Sequence, residues 1–169
     1  MADYYTQFST ALVVDSPEQV KWVDALCTCV NALVLSDYST ENHDFNEKGE
    51  PKTAMGKLAC EVYDGSEAQV FCTWVVRETE VWFEAFEENG DPHLVGRIVQ
   101  AYYKHFKKDP EECFAFEWAN TCSKPQHDAF GGGLLIANCD EVVSMSTIDW
   151  VEEQLRKMRG RVKRKAEPR

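Results

Sequence analysis

Four side chains that could take part in nucleophilic chemistry fall within seven residues: Cys122, Ser123, His127 and Asp128. A thiol or hydroxyl becomes a nucleophile when a histidine takes its proton and a carboxylate orients that histidine. Catalytic Cys/His pairs normally lie on separate rigid elements, whereas these residues share one stretch that Pro125 interrupts. The pattern favours a structural connection first, a ligand-contacting loop second and a catalytic role last.

Three glycines, Gly131, Gly132 and Gly133, follow this stretch and could present backbone amides to a phosphate. The sequence contains neither G-x-x-x-x-G-K-[ST] nor G-x-G-x-x-G, and a strand rather than a helix is predicted after the glycines. We therefore expect a bulge or a close backbone crossing there. Cys122, His127 and the three glycines remain the candidates for a ligand loop.

Metal-ligating residues are scattered along the chain. Cys27 and Cys29 lie two apart on a predicted helix, so their side chains diverge by about 200° and cannot chelate one ion together. The four histidines show no H-E-x-x-H spacing. We predict no metal site and no cofactor.

The strand predicted at 80–88 could bind a partner rather than catalyse a reaction. One of its faces carries Val81, Phe83 and Ala85; the other carries Glu80, Trp82, Glu84, Phe86 and Glu88. If the first face packs on helices, the second exposes two aromatic rings between three carboxylates over roughly 26 Å, with Glu78 nearby. This surface would suit an extended basic partner. The alternative is an edge strand protected by charge, whose aromatic rings are covered by a loop or a neighbouring chain.

Charge is distributed very unevenly along the 169 residues, whose net charge is −11. The segment 156–169 has eight basic residues opposed only by Glu167, or +7, which leaves −18 on residues 1–155. The basic residues are Arg156, Lys157, Arg159, Arg161, Lys163, Arg164, Lys165 and Arg169. The acidic body predicts a basic protein partner and excludes a protein that coats nucleic acid with its whole surface. Nucleic acid could be contacted through the tail only.

The N-terminal residues lack the positive charge and apolar core of a signal peptide, and no apolar stretch approaches the roughly 18 residues of a membrane span. The seven cysteines form no C-x-x-C pair. These features predict a cytoplasmic protein with reduced thiols and no membrane partner, and they leave a homodimer open.

Periodicity predicts the element order β-α-β-β-β-α-β-β-β-α. The predicted strands are 7–14, 57–63, 69–76, 80–87, 113–120, 133–138 and 141–146. The first two helices begin at Pro17 and Pro92, and the third follows a cap at Ser146 or Thr147. Because most strands follow one another directly, we expect an α+β fold: an antiparallel or mixed sheet of about six to seven strands with three helices mainly on one face. Residues 1–155 would form one acidic domain with a long polar loop at 36–53. The basic tail 156–169 would extend the last helix for about a turn and then become mobile.

The run Ala-Asn-Thr-Cys-Ser-Lys-Pro at 119–125, followed by Phe-Gly-Gly-Gly at 130–133 and a predicted hairpin, resembles a family of small, uncharacterised proteins of bacteria and their phages. The similarity extends loosely from Phe8 to Leu155 and brings no established activity with it. It implies a phage or mobile-element setting, in which an inhibitor of a host defence system would be one instance.

Three functions follow from these observations. The favoured one is a non-catalytic acidic interaction protein that binds a basic partner, which could itself be a nucleic-acid-binding protein. The second is an adaptor that contacts nucleic acid or a ribonucleoprotein through the basic tail. The third is a small-ligand sensor or Cys/His enzyme that uses the loop 121–133.

Overall fold

The computed structural model describes residues 4–36, 43–63, 71–85, 90–123 and 130–166. Within these ranges the chain forms six strands and four helices. They are β1 (Tyr4–Val13), α1 (Pro17–Leu35), α2 (Ala54–Tyr63), β2 (Thr73–Val76), β3 (Glu80–Ala85), α3 (Pro92–Phe106), β4 (Phe114–Cys122), β5 (Gly131–Ala137), β6 (Val142–Ser146) and α4 (Thr147–Ala166).

The six strands form one sheet in the order β2-β3-β1-β4-β5-β6, and every neighbouring pair is antiparallel. The predicted α+β class and antiparallel sheet are thus confirmed. Strand β1 joins the two halves of the sheet: its residues 4–7 pair with β4, whereas its residues 8–13 pair with β3.

One face of the sheet carries the core. Alternate residues along the strands, such as Phe8, Phe83 and Leu135, are buried there, and helices α1 and α3 pack on this side. Tyr102 of α3 is fully buried, and its hydroxyl donates a hydrogen bond of 2.6 Å to the Gln19 side chain of α1. The strand residues that alternate with the buried ones point to the opposite side of the sheet, which we call the open face.

Residues 57–63, predicted as a strand, instead lie in helix α2, so the expected three-stranded meander is a two-stranded hairpin of β2 and β3. Gly56, Ala59 and Val62 recur every three residues and form the buried stripe of α2. A Cβ at Gly56 would lie only 2.6 Å from the Asp44 carbonyl oxygen, so the glycine permits this helix to approach the preceding segment. This short apolar run fits both the two-residue period of a strand and the 3.6-residue period of a helix, and its packing in the fold selects the helix.

The polar segment predicted as a loop at 36–53 has an anchored second half. Phe45 is 1% exposed and belongs to the core, and it forms a bridge with Pro51. The Asp44 carboxylate accepts hydrogen bonds from the Thr53 hydroxyl and, at 3.3 Å, from the Cys29 thiol. These contacts give residues 43–53 a structural role.

Helix α4 continues to Ala166, about three turns beyond Leu155, so the expected mobile tail is helical over most of its length. The helix begins at a cap in which the Ser146 hydroxyl accepts a hydrogen bond of 3.0 Å from the Asp149 amide. Arg, Lys, Met and Ala, which make up most of 156–166, are good helix formers, and basic residues near a helix C-terminus complement its dipole. In the described ranges, no helix has the length and apolar character needed to cross a membrane.

Candidate protein-binding surface

Of the two orientations that the sequence left open, strand β3 has the one that places the carboxylates and Trp82 on the open face. Val81, Phe83 and Ala85 are buried against the core. On the open face lie Glu80, Trp82 and Glu84, each half-buried. Phe86 and Glu88, the other two predicted members of this row, lie outside the described residues. The described row Glu80–Glu84 spans about 13 Å at 3.3 Å per residue.

The alternative interpretation of β3 as an edge strand is wrong. Strand β3 pairs with β1 on one side and with β2 on the other, so its backbone groups are engaged in the ladder. An edge strand uses charge to prevent pairing with other chains. Strand β3 therefore has no free edge for its carboxylates to protect.

Arg77 shows what chemistry this surface accepts. It lies in the turn between β2 and β3, and its guanidinium carbon lies 4.6 Å from the Trp82 ring centroid. One guanidinium nitrogen lies 4.0 Å from a Glu80 carboxylate oxygen, which also accepts a hydrogen bond of 2.8 Å from the Trp82 indole nitrogen. The indole and the carboxylate therefore form an oriented pair that holds a guanidinium by stacking and by charge. The Arg77 side chain is 59% exposed.

The open face has an acidic half and an apolar half. Every charged residue of β1 to β4 that lies at an open-face position of the strand alternation is a carboxylate. These residues are Glu80, Glu84 and Glu117. The β2–β3 turn adds one exposed charge of each sign, Arg77 and Glu78. Strands β5 and β6 carry no charged residue on this face and expose Leu134, Ile136, Val143 and Met145. Val13 and Val75 are exposed apolar residues of the acidic half.

Only some of the candidate ligand-loop residues lie at one site. Gly131, Gly132 and Gly133 line an open cleft of about 420 Å³ beside Trp118 and Trp150. Cys122 is half-buried at the end of β4 and is not among the residues lining this cleft, whereas His127 lies outside the described residues. Trp150 had no signal in the sequence, because it reaches this cleft only through the packing of α4 beside β5.

The glycines allow a close crossing of β4 and β5, as expected for one of the two structural interpretations. A Cβ at Gly132 would lie 3.2 Å from the Ala119 Cα and closer still to the Trp118 carbonyl oxygen. At Gly133 a Cβ would collide with the Trp118 ring and lie 2.6 Å from the Met145 carbonyl oxygen. These contacts give the glycines a packing role that does not depend on a ligand.

All seven cysteines are free thiols, and several are held protonated by burial. Burial raises the pKa of Cys29 to about 12 and raises the pKa of Cys27 and of Cys72 well above the usual thiol range. Since the thiolate is the reactive form, burial disfavours nucleophilic chemistry at these three cysteines. In the part of the chain that the structure describes, no three His, Cys, Asp or Glu side chains come together as metal ligands would.

The basic tail residues lie on helix α4. Arg156, Lys157 and Arg159 have exposed side chains, and Lys157 forms an ion pair of 2.6 Å with Glu153 one turn earlier. Arg161, Lys163, Arg164 and Lys165 lie on the helical backbone that continues to Ala166. The tail thus presents its charge from a helix.

Comparisons with family models, with curated proteins and with solved structures find no match for this chain. The class defined by the fold and the surface is an acidic α+β protein whose six-stranded antiparallel sheet leaves one face uncovered by α1 and α3.

Proposed function

We propose that this protein is a non-catalytic interaction protein that binds a basic, arginine-bearing partner on the acidic half of its open face. The observation that carries the proposal is Arg77, which stacks on Trp82 beside the Glu80 carboxylate. A partner arginine would take the same position and gain the same stacking and charge contacts.

The charge of the chain supports this proposal. Residues 1–155 carry −18, so the field of the body attracts a basic partner from a distance and raises the rate of encounter. Specific binding then requires groups that distinguish arginine from other cations. The oriented Trp82 and Glu80 pair meets this requirement, because a planar guanidinium both stacks on an indole and pairs with a carboxylate.

Nucleic-acid-binding proteins are one natural class of partner, since they present arginines to phosphates. An acidic surface that occupies those arginines would block their access to nucleic acid. An inhibitor of a host defence system is the instance that the family resemblance implies.

A second candidate is an adaptor that reaches nucleic acid or a ribonucleoprotein through its tail. The observation that favours it is the helical continuation of α4 to Ala166, a segment whose sequence contains seven basic residues from 156 onward. Binding by this route would be strongly salt-dependent and largely independent of sequence.

The experiment is capture of partners from a host lysate, with and without nuclease, using the full chain. The test variant is E80K/E84K, and the matched control E61K/E111K reverses two exposed carboxylates outside the open face and has the same net charge. We expect nuclease-resistant capture of a basic protein that E80K/E84K loses at least tenfold relative to the control.

Two outcomes would contradict the proposal. Equal capture by the two variants would mean that only the overall charge matters. Capture that disappears with nuclease and with removal of 156–169, but survives E80K/E84K, would support the adaptor instead.

A further inference from the structure

Helix α4 has an apolar stripe with nothing packed on it in the described chain. From Thr147 to Arg159 every side chain except the half-buried Glu153 and Gln154 is exposed. Ile148, Val151, Leu155 and Met158 nevertheless recur at steps of three and four residues and are 44–62% exposed. Val162 continues the same spacing in the sequence. This is the spacing of the seam along which two helices pack.

A helix of this kind needs a packing surface. Most helical stability in proteins comes from burial of one apolar face and not from the propensity of the residues alone. The question is which surface covers the stripe.

The charges along α4 point to a second copy of the same helix. The segment 147–155 contains three acidic residues and no basic one, whereas 156–166 contains seven basic residues and no acidic one. Two parallel copies would place the basic segments side by side. Two antiparallel copies would place each acidic segment beside the other copy's basic segment.

We propose that the protein self-associates through α4, with the helices of two copies packed antiparallel along the stripe about a two-fold axis. This inference is independent of the proposed function, because it uses α4 and leaves Glu80, Trp82 and Glu84 of strand β3 uninvolved. The contact is isologous, so it closes at a dimer.

Charge also selects the register of the pair. Placing Leu155 opposite Met158 of the second copy, and Val151 opposite Val162, brings each acidic segment alongside a basic one. In an antiparallel pair related by a two-fold axis, one flank of the stripe on the first helix lies next to the same flank on the second helix. Glu152 and Arg159 lie on that one flank and are both exposed, so each glutamate faces the other copy's arginine.

The dimer is expected to be concentration-dependent. A contact between two helices of this length is at or below the size of standard stable interfaces. We therefore expect a dissociation constant in the micromolar range, about 1–100 µM.

The first experiment is sedimentation equilibrium of the full chain up to about 0.5 mM, well above that range. The variant L155Q removes an apolar group from both copies without changing charge, and it should raise the dissociation constant at least thirtyfold. The matched control is W150Q, which removes an exposed apolar side chain of the same helix about 120° away from the stripe and should leave association unchanged.

The second experiment tests the antiparallel arrangement by exchanging charges. E152R alone and R159E alone each set like charges side by side, and each should weaken the dimer about tenfold. The double variant E152R/R159E restores opposite charges and should recover most of the affinity. Circular dichroism checks that each variant keeps its helix content.

A chain that stays monomeric at every concentration, or a dimer that L155Q leaves intact, would overturn the proposal. A double charge exchange no better than the single ones would also overturn it, because in a parallel pair these two residues do not face each other.

Discussion

Substitution of Gly132 by alanine tests whether the Gly131–Gly133 run serves the close crossing of strands. The added Cβ would lie 3.2 Å from the Ala119 Cα and inside 3.0 Å of the Trp118 carbonyl oxygen, closer than real Cβ atoms come. These are backbone atoms, so no side-chain rotation relieves the clash. Strands β4 and β5 must separate, which weakens their hydrogen-bonded ladder.

The size of the effect follows from this geometry. Overpacking in a well-packed site costs about 1–3 kcal/mol, and the backbone contact places Gly132→Ala near the upper end, at about 3 kcal/mol. For a chain of this size that corresponds to a fall in Tm of about 6–12 °C. The matched control is Gly131→Ala, whose Cβ would meet only the Thr147 hydroxyl at 3.1 Å. Both variants lose similar entropy in the unfolded chain, so their difference isolates the crossing.

The assay is thermal and urea unfolding of the two variants followed by circular dichroism. We expect Gly132→Ala to be less stable than Gly131→Ala by about 2 kcal/mol or more. Equal stabilities of Gly132→Ala and Gly131→Ala would refute the close crossing as the reason for these glycines and would favour the ligand-loop interpretation.

Three further predictions concern the body of the fold. Phe45→Ala should lower the free energy of unfolding by about 3–5 kcal/mol in urea titrations, because this ring is fully buried. At pH 8 a thiol reagent should modify the exposed Cys113 rapidly and Cys27 only after unfolding, since burial raises the pKa of the Cys27 thiol. The hydrogen bond from Lys108 lowers the pKa of Asp15, so Asp15→Asn should reduce stability at pH 7, and this deficit should disappear as the pH falls through the Asp15 pKa.

Each of these predictions has a defined failure. Phe130→Ala, at a ring that is 59% exposed, should cost little, and an equal loss there would show that the Phe45 result is not due to burial. Equal labelling rates for Cys27 and Cys113 in the folded protein would contradict the burial of Cys27. A deficit in Asp15→Asn that grows toward acid pH would contradict the direction of the pKa change.

Elements with strong local signals could be predicted from the sequence. The box Ser16-Pro17-Glu18-Gln19 predicted the start of α1, and the Ser16 hydroxyl accepts a hydrogen bond from the Gln19 amide. Asp91-Pro92 likewise marked the start of α3. The alternation along β3 sorted its residues into two faces, but the sequence did not determine which of these faces packs on the helices.

Features decided by contacts distant in sequence could not be predicted. Helix α2 was taken for a strand because its apolar residues fit both periods and only packing beside α1 selects the helix. The place of β3 in the sheet depends on pairing with β1, about 70 residues earlier. The stacking of Arg77 on Trp82 likewise depends on the geometry of the β2–β3 turn, so composition alone gave no sign of it.

The measurement that tests the central claim most directly is isothermal titration of the captured basic partner into four proteins: wild type, E80K/E84K, the control E61K/E111K and Arg77→Ala. Our account predicts that E80K/E84K binds at least tenfold more weakly than E61K/E111K, which has equal net charge. It also predicts that Arg77→Ala binds more tightly than wild type, because the arginine already seated on Trp82 no longer competes. Equal affinities for the two charge-reversed proteins, together with unchanged or weaker binding by Arg77→Ala, would contradict the claim that this surface binds a partner arginine.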